Sequence, residues 1–243
     1  MRASYDTIGV DYADLRKPDP RIAAAIAEAL GSARSVVNLG AGAGSYEPAG
    51  RQVTAVEPSL RMIRQRGAAA APVVQGRAEA LPFGDDAFDA SMAVLTVHHW
   101  ADKAKGLTEL RRVTRGRVVV LTFDPAHRGV WLADYFPQLA ALDDTQMPAM
   151  TDYAAWLGPV EISTVAVPHD CVDGFLYAYW RRPAAYLDPR IRAAMSSFWA
   201  MDDPSEGLER LARDLESGAW ARRHTELLDL DAYDAGYRLV TTK

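Results

Sequence analysis

Val36-Val37-Asn38-Leu39-Gly40-Ala41-Gly42-Ala43-Gly44 carries an apolar run straight into glycines at alternate positions. Glycine is required where the backbone turns with positive φ, and where a ligand must approach the chain without a Cβ in the way. At the carboxyl end of the first strand of a parallel sheet, such a turn stands at the ligand crevice. The spacing is G-x-G-x-G, not the G-x-G-x-x-G of dinucleotide sites. Pro48 and Gly50 then interrupt the segment before Val53, leaving little helical N-terminus for a pyrophosphate. Both features point to a nucleoside ligand without a diphosphate. Glu57 ends the next apolar run, where a carboxylate can accept from both ribose hydroxyls; the alternative is a solvated glutamate before Pro58.

Working outward, Ser35–Leu39, Gln52–Val56, Phe88–Leu95 and Arg117–Phe123 read as strands, with a weaker fifth at Val73–Val74. They are nearly all apolar rather than alternating, as expected for strands covered on both faces of a parallel sheet. A helix is expected over 21–30, capped by Asp19 and ended by Gly31, with Ile22, Ile26 and Leu30 on one stripe. Further helices are expected at Ser59–Arg66 and Asp102–Thr114, the latter ending in the cations Arg111, Arg112 and Arg115. Strand and helix in alternation give an α/β, doubly wound sheet. Beyond Phe123 the rhythm breaks. Val160–Val167 and Ala235–Thr242 read as strands, and 127–157 and 173–226 as a helical cap on one domain spanning 1–243.

The chain has 243 residues, 49% hydrophobic and 24% charged, which excludes disorder and fibrous repeats. No apolar run reaches ~18 residues and the first twenty hold no apolar core, so neither a membrane span nor a secretory signal is expected. One cysteine, Cys171, excludes an intrachain disulfide and a cysteine-rich zinc site; no metal is expected, and the expected compartment is the cytoplasm. A net charge of −5 argues against nucleic acid, and the Arg111–Arg117 cations read as a solvated helix end.

In order along the chain, VVNLGAGAG (36–44), VTAVEPS (53–59), GRAEALPFGDDAFDA (76–90) and LTVHHWADKAKGLTELRRVTRG (95–116) resemble the class I S-adenosylmethionine-dependent methyltransferases, in the small-molecule branch called methyltransferase type 11. The resemblance covers roughly residues 1–125. It implies a Rossmann-like, mostly parallel seven-stranded sheet with an antiparallel C-terminal strand, S-adenosyl-L-methionine as co-substrate, and a small-molecule acceptor. Carried over by residue, it places Gly40, Ala41 and Gly42 beneath the methionine portion, Glu57 on the ribose, and Pro58 and Met62 near the adenine. Ala78 and Glu79 border the adenine amine, Ala93 and Val94 close the site from the fourth strand, and Tyr12 and Arg16 reach the cofactor carboxylate. Two departures stand out: Asn38 and Arg77 occupy positions where the family usually has acids.

Methyl transfer asks the protein to align the acceptor, exclude water and sometimes remove a proton. His98 and His99 directly follow the fourth strand and are candidate bases; the alternative is that they pack the turn into the next helix. His169, Asp170, Cys171 and Asp173 form a second polar cluster after the Val160–Val167 strand, which resembles a metal set but is expected to be a wall of the acceptor pocket, with His169 a third catalytic candidate. Asp124 is expected to face the acceptor or cap a turn, and Trp131, Tyr135, Phe136, Tyr177 and Trp180 to line an apolar pocket or fill the core. The expected activity is methyl transfer to O, N or C of a small molecule such as a secondary metabolite, by a monomer or homodimer. The rivals are a non-catalytic S-adenosylmethionine-binding protein and a nicotinamide-dependent oxidoreductase.

Overall fold

A computed structural model describes residues 15–243. In chain order its elements are α1 (Pro20–Ala29), β1 (Ser35–Leu39), β2 (Gln52–Glu57), α2 (Leu60–Arg64), β3 (Val73–Gln75), β4 (Ala90–Val94), α3 (Lys103–Arg112) and β5 (Val118–Phe123). They continue as α4 (Leu132–Tyr135), α5 (Gln138–Gln146), α6 (Met150–Leu157), β6 (Val160–Thr164), β7 (Val167–Pro168), α7 (Pro189–Ala193), α8 (Ser196–Ala200), α9 (Ser205–Glu216), α10 (Ala219–Arg223), α11 (Thr225–Leu228), β8 (Ala232–Tyr233) and β9 (Tyr237–Thr242).

Local chemistry sets the early boundaries. Asp19 accepts from the Arg21 amide at 3.0 Å to open α1, where Pro20 needs no N–H. Ser59 Oγ accepts from the Met62 amide to open α2, and Asp102 from the Lys105 amide to open α3. Each of these caps contributes about 1 kcal/mol.

Seven strands form one sheet in the order β3-β2-β1-β4-β5-β9-β6. Strands β1 to β5 pair in parallel, and β9 runs antiparallel to both β5 and β6. Strand order reverses between β1 and β4, so their carboxyl ends open a crevice. Neighbouring residues point to opposite faces: Val36, Met92 and Val119 pack with Ile22, Ile26 and Leu30 of the α1 layer, whereas Val37, Ala93 and Val120 pack with Leu107 and Leu110 of α3. Burial on both faces is why these strands carry no apolar–polar alternation.

The expected strand Val160–Val167 is two elements. β6 ends at Thr164, and Val167–Pro168 instead pairs with β8 in a separate two-stranded sheet. The expected cap divides as well. Trp131, Tyr135, Phe136 and Trp180 are buried in the core on the α1 side, whereas α6 lies on the other face, where the buried Tyr153 hydroxyl donates to Thr122 Oγ1 at 3.0 Å. Residues 150–157 therefore belong to the layer that covers the sheet beside α3, because Tyr153 and Leu157 complete its apolar stripe. Among the described residues no helix is long and apolar enough to cross a membrane.

Candidate functional site

The loop from Ala41 to Arg51 contains turns and no helix. Gly40, Gly42 and Gly44 have φ of +67°, +53° and +101°, conformations that disfavour a Cβ. At Gly40 the obstacle to a side chain is the protein itself: a Cβ there would lie 2.0 Å from Thr96 Oγ1. Glycine thus lets the loop after β1 close onto the loop after β4. Gly44 serves the turn and lies outside the cavity wall.

A cavity of about 200 Å³ opens at the carboxyl ends of β1 to β4. Its walls include ten of the twelve positions the resemblance assigns to the cofactor: Arg16, Gly40, Ala41, Gly42, Glu57, Pro58, Met62, Ala78, Glu79 and Val94. Ala93 is the exception among the described positions. Adjacent strand residues face opposite ways, so when Val94 faces the cavity Ala93 is buried with Val120 and Leu107. Tyr12 lies outside the described residues. Leu39, Tyr46, Thr96 and Trp100 also form the wall; they are separated in sequence from the glycine motif or hidden within it, and no local pattern marks them.

Glu57 is 5% exposed, and its Oε2 accepts from the Gly42 amide at 2.8 Å and its Oε1 from the Ser59 amide at 2.9 Å. A carboxylate has about four lone-pair sites, so its two oxygens can each accept more than one hydrogen bond. Glu57 is therefore not a solvated turn residue: it braces the glycine loop from the neighbouring strand. Glu79 Oε1 accepts from the amides of Ala101 and Asp102, tying the loop after β3 to the start of α3. Asn38 is buried and its Nδ2 donates to Glu47 Oε1 at 3.5 Å; Glu47 in turn pairs with Arg66 at 2.5 Å.

Arg16 Nε pairs with Asp173 at 2.6 Å, and the Tyr46 hydroxyl donates to the same carboxylate at 2.9 Å while accepting from the Asp19 amide at 3.3 Å. Burial raises the Asp19 carboxyl, but hydrogen bonds from Arg21 and Val172 outweigh it and hold the group down at about 2. These contacts explain the polar cluster after β7. Asp173 anchors Arg16 in the segment that precedes α1, Asp170 pairs with Arg21 in the first turn of α1, and Cys171 is 1% exposed, with burial pushing its thiol up to about 12. His169 donates its backbone amide to the Asp231 carbonyl beside the two-stranded sheet and lines neither cavity, standing apart from His98 and His99.

A smaller cavity of about 50 Å³ adjoins the ends of β4 and β5 and the start of β9. Arg16 and Leu95 stand in the walls of both cavities. Leu95 has φ +50°, a conformation that costs a non-glycine residue roughly 1–3 kcal/mol and that clusters at functional sites. The two histidines separate: His99 lines the larger cavity and His98 the smaller, with ring centroids 3.8 Å apart. Burial, then the nearby Arg16 and Lys103, lowers His99 to about 4; burial, then His99, Arg16 and Lys103, lowers His98 well below the ordinary range. Both imidazoles are neutral at physiological pH, the form in which a ring nitrogen can accept a proton. Of the expected aromatic lining only Tyr177 reaches a cavity. Asp124 caps its own turn, accepting from the Ala126 amide at 3.0 Å. Among the described residues no group of three or more metal-ligating side chains is placed to hold an ion.

The larger cavity fits S-adenosylmethionine by its donor set. Its wall combines the Glu57 carboxylate, the apolar side chains of Met62, Ala78 and Val94, and the Arg16 guanidinium held by Asp173, the kinds of group that a ribose, an adenine and a carboxylate call for. With no helix following the glycine loop, a diphosphate lacks the helix N-terminus that dinucleotide sites supply.

Residues 37–121 match the family described as a methyltransferase domain. The crystal structure of a "Putative methyltransferase from antibiotic biosynthesis pathway" of Anabaena variabilis superposes with a TM-score of 0.88 at 35% identity, covering 94% of this chain and 99% of that one. Curated relatives match a shorter region. Demethylmenaquinone methyltransferase of Mycobacterium tuberculosis is 31% identical over 112 residues, 44% of this chain and 48% of its own length. Protein YafE of Escherichia coli is 33% identical over 125 residues, 47% of this chain and 58% of its own length. The match thus spans about half the length of these two relatives. On the sheet order, the braced glycine loop and full-length likeness to the Anabaena protein, this chain belongs to the class I S-adenosylmethionine-dependent methyltransferases.

Proposed function

We propose that the protein transfers a methyl group from S-adenosylmethionine to an O, N or C atom of a small molecule seated in the smaller cavity. The observation that carries this reading is the shared wall. Leu95 and Arg16 border both cavities, so the two meet at these residues and an acceptor in the smaller lies beside the ligand of the larger. The family's cofactor supplies an electrophilic methyl on a sulfonium, with the C–S electron pair leaving on sulfur. The chain's own residues do the rest. Glu57 and the glycine loop fix the nucleoside, and Arg16 is positioned by Asp173 at the junction. Phe123, Phe175 and Tyr237 exclude water from the acceptor, and His98, neutral in the same wall, is the group we assign to accept a proton from it. The antibiotic-pathway description of the Anabaena relative supports an acceptor of small-molecule size.

Mass spectrometry of the purified protein tests the cofactor half: co-purified S-adenosylhomocysteine is expected. Transfer from radiolabelled S-adenosylmethionine to a panel of small phenols, amines and carboxylates tests the other half. Tight S-adenosylhomocysteine binding with no transfer to any acceptor would favour a non-catalytic binding protein.

A further inference from the structure

Among the described residues, Asp143 is the one carboxylate in the wall of the smaller cavity, and no motif in the sequence marks it. It projects from α5, is 7% exposed, and shares a hydrogen bond with the Tyr177 hydroxyl. Around it stand Phe123 at the end of β5, Tyr237 at the start of β9, and the apolar side chains Met147 and Phe175. Among the described residues no cation lies within ion-pair distance of it. Arg128, the nearest that acts on it, is engaged with Asp144 at 2.6 Å on the solvent side. Among the described residues the arginine in the cavity wall is Arg16, and it is held by Asp173.

A carboxyl in such surroundings must stay protonated or meet a cation brought by a ligand. An ammonium satisfies it in two ways at once: it neutralises the carboxylate, and it gains from the faces of Phe123, Tyr177 and Tyr237. Deepening the placement of the acceptor in this cavity, and resting on it, we propose that the acceptor is a small apolar amine whose ammonium sits on Asp143, its remainder directed past Leu95 toward the larger cavity. Neutral His98 adds no opposing charge.

The groups that face Asp143 set its ionisation. Burial raises it most; Arg128 lowers it, Asp144 raises it and the Tyr177 hydrogen bond lowers it, for a value of about 7, with Tyr237 of β9 in the same cavity wall. Ammonium binding needs the ionised form, so affinity should rise as pH increases through neutrality.

Titration calorimetry with n-butylamine, and with n-butanol as its uncharged counterpart, tests this on the full chain at about pH 6 and pH 8. Butylamine is expected to bind the wild type at least threefold more tightly at the higher pH and at least tenfold more weakly to Asp143→Asn. Butanol should bind both proteins alike at both pH values. Equal affinity for the two probes, absence of butylamine binding, or indifference of butylamine to pH would overturn the amine assignment, and the pH comparison needs no variant to fold. S-adenosylhomocysteine, titrated separately, should bind wild type and Asp143→Asn equally. Its failure to bind the wild type would remove the cofactor placement, an outcome distinct from loss of the amine preference.

Discussion

Replacing Glu57 by glutamine exchanges one carboxylate oxygen for an NH2 group at a point where two backbone amides converge. The Gly42 amide donates to Oε2 at 2.8 Å and the Ser59 amide to Oε1 at 2.9 Å, so glutamine can satisfy one and must turn its own N–H groups toward the other. A buried amide left without an acceptor costs about 1–3 kcal/mol, and the affected loop carries the cofactor wall. In the ligand complex one of two ribose hydroxyls also loses a charged acceptor, worth about 1.5–3 kcal/mol. At 1.4 kcal/mol per decade, S-adenosylhomocysteine should bind Glu57→Gln roughly 10- to 150-fold more weakly. Titration calorimetry measures the affinity, while thermal melting and circular dichroism establish that the variant is folded. A folded Glu57→Gln protein with affinity within about twofold of wild type would refute the ribose role and leave Glu57 as a brace for the loop alone.

Gly40→Ala combines a left-handed backbone, about 1–2 kcal/mol, with overpacking against Thr96, about 1–3 kcal/mol, and urea unfolding should show a loss within their sum. Tyr46→Phe removes the hydroxyl that links the Asp19 amide to Asp173 and should destabilise by about 1–3 kcal/mol in the same assay, with wild-type stability contradicting the structural role of this network. Asp143 has a native value of about 7 against 3.8 for the ordinary carboxyl, so between those values the folded state binds the extra proton and this group's contribution to wild-type stability should fall as pH rises. Asp143→Asn should lose that component, so the wild-type-minus-variant stability difference should decline from about pH 4 to pH 7; a flat difference would refute the raised value. His98→Gln should lower turnover without altering S-adenosylhomocysteine affinity, and His99→Gln should alter the affinity; the reverse pattern would exchange their roles.

The first half of the chain was readable because its instructions are local. Apolar runs, capping residues and glycines act within a few positions, so β1 is expected and found at Ser35–Leu39, and Asp19, Ser59 and Asp102 each cap the helix that follows. The family motifs, being contiguous, likewise brought nearly all the cofactor positions to one cavity. Where the assignment failed, the cause was direction: Ala93 and Val94 are adjacent in the motif but face opposite sides of the sheet.

Tertiary structure alone decided the rest, because those contacts join residues distant in the chain. Arg16 meets Asp173 across 157 positions and Tyr46 meets it across 127, so neither pairing leaves a local trace. Asp173, from the polar cluster at 169–173, pairs with Arg16, and Asp143, which no motif marks, is buried in the wall of a cavity. Composition and spacing determined a nucleoside-binding sheet. The identity of the second cavity's wall depended on which helices the aromatic core drew over the ends of β4, β5 and β9, a matter of long-range packing that no window of sequence contains.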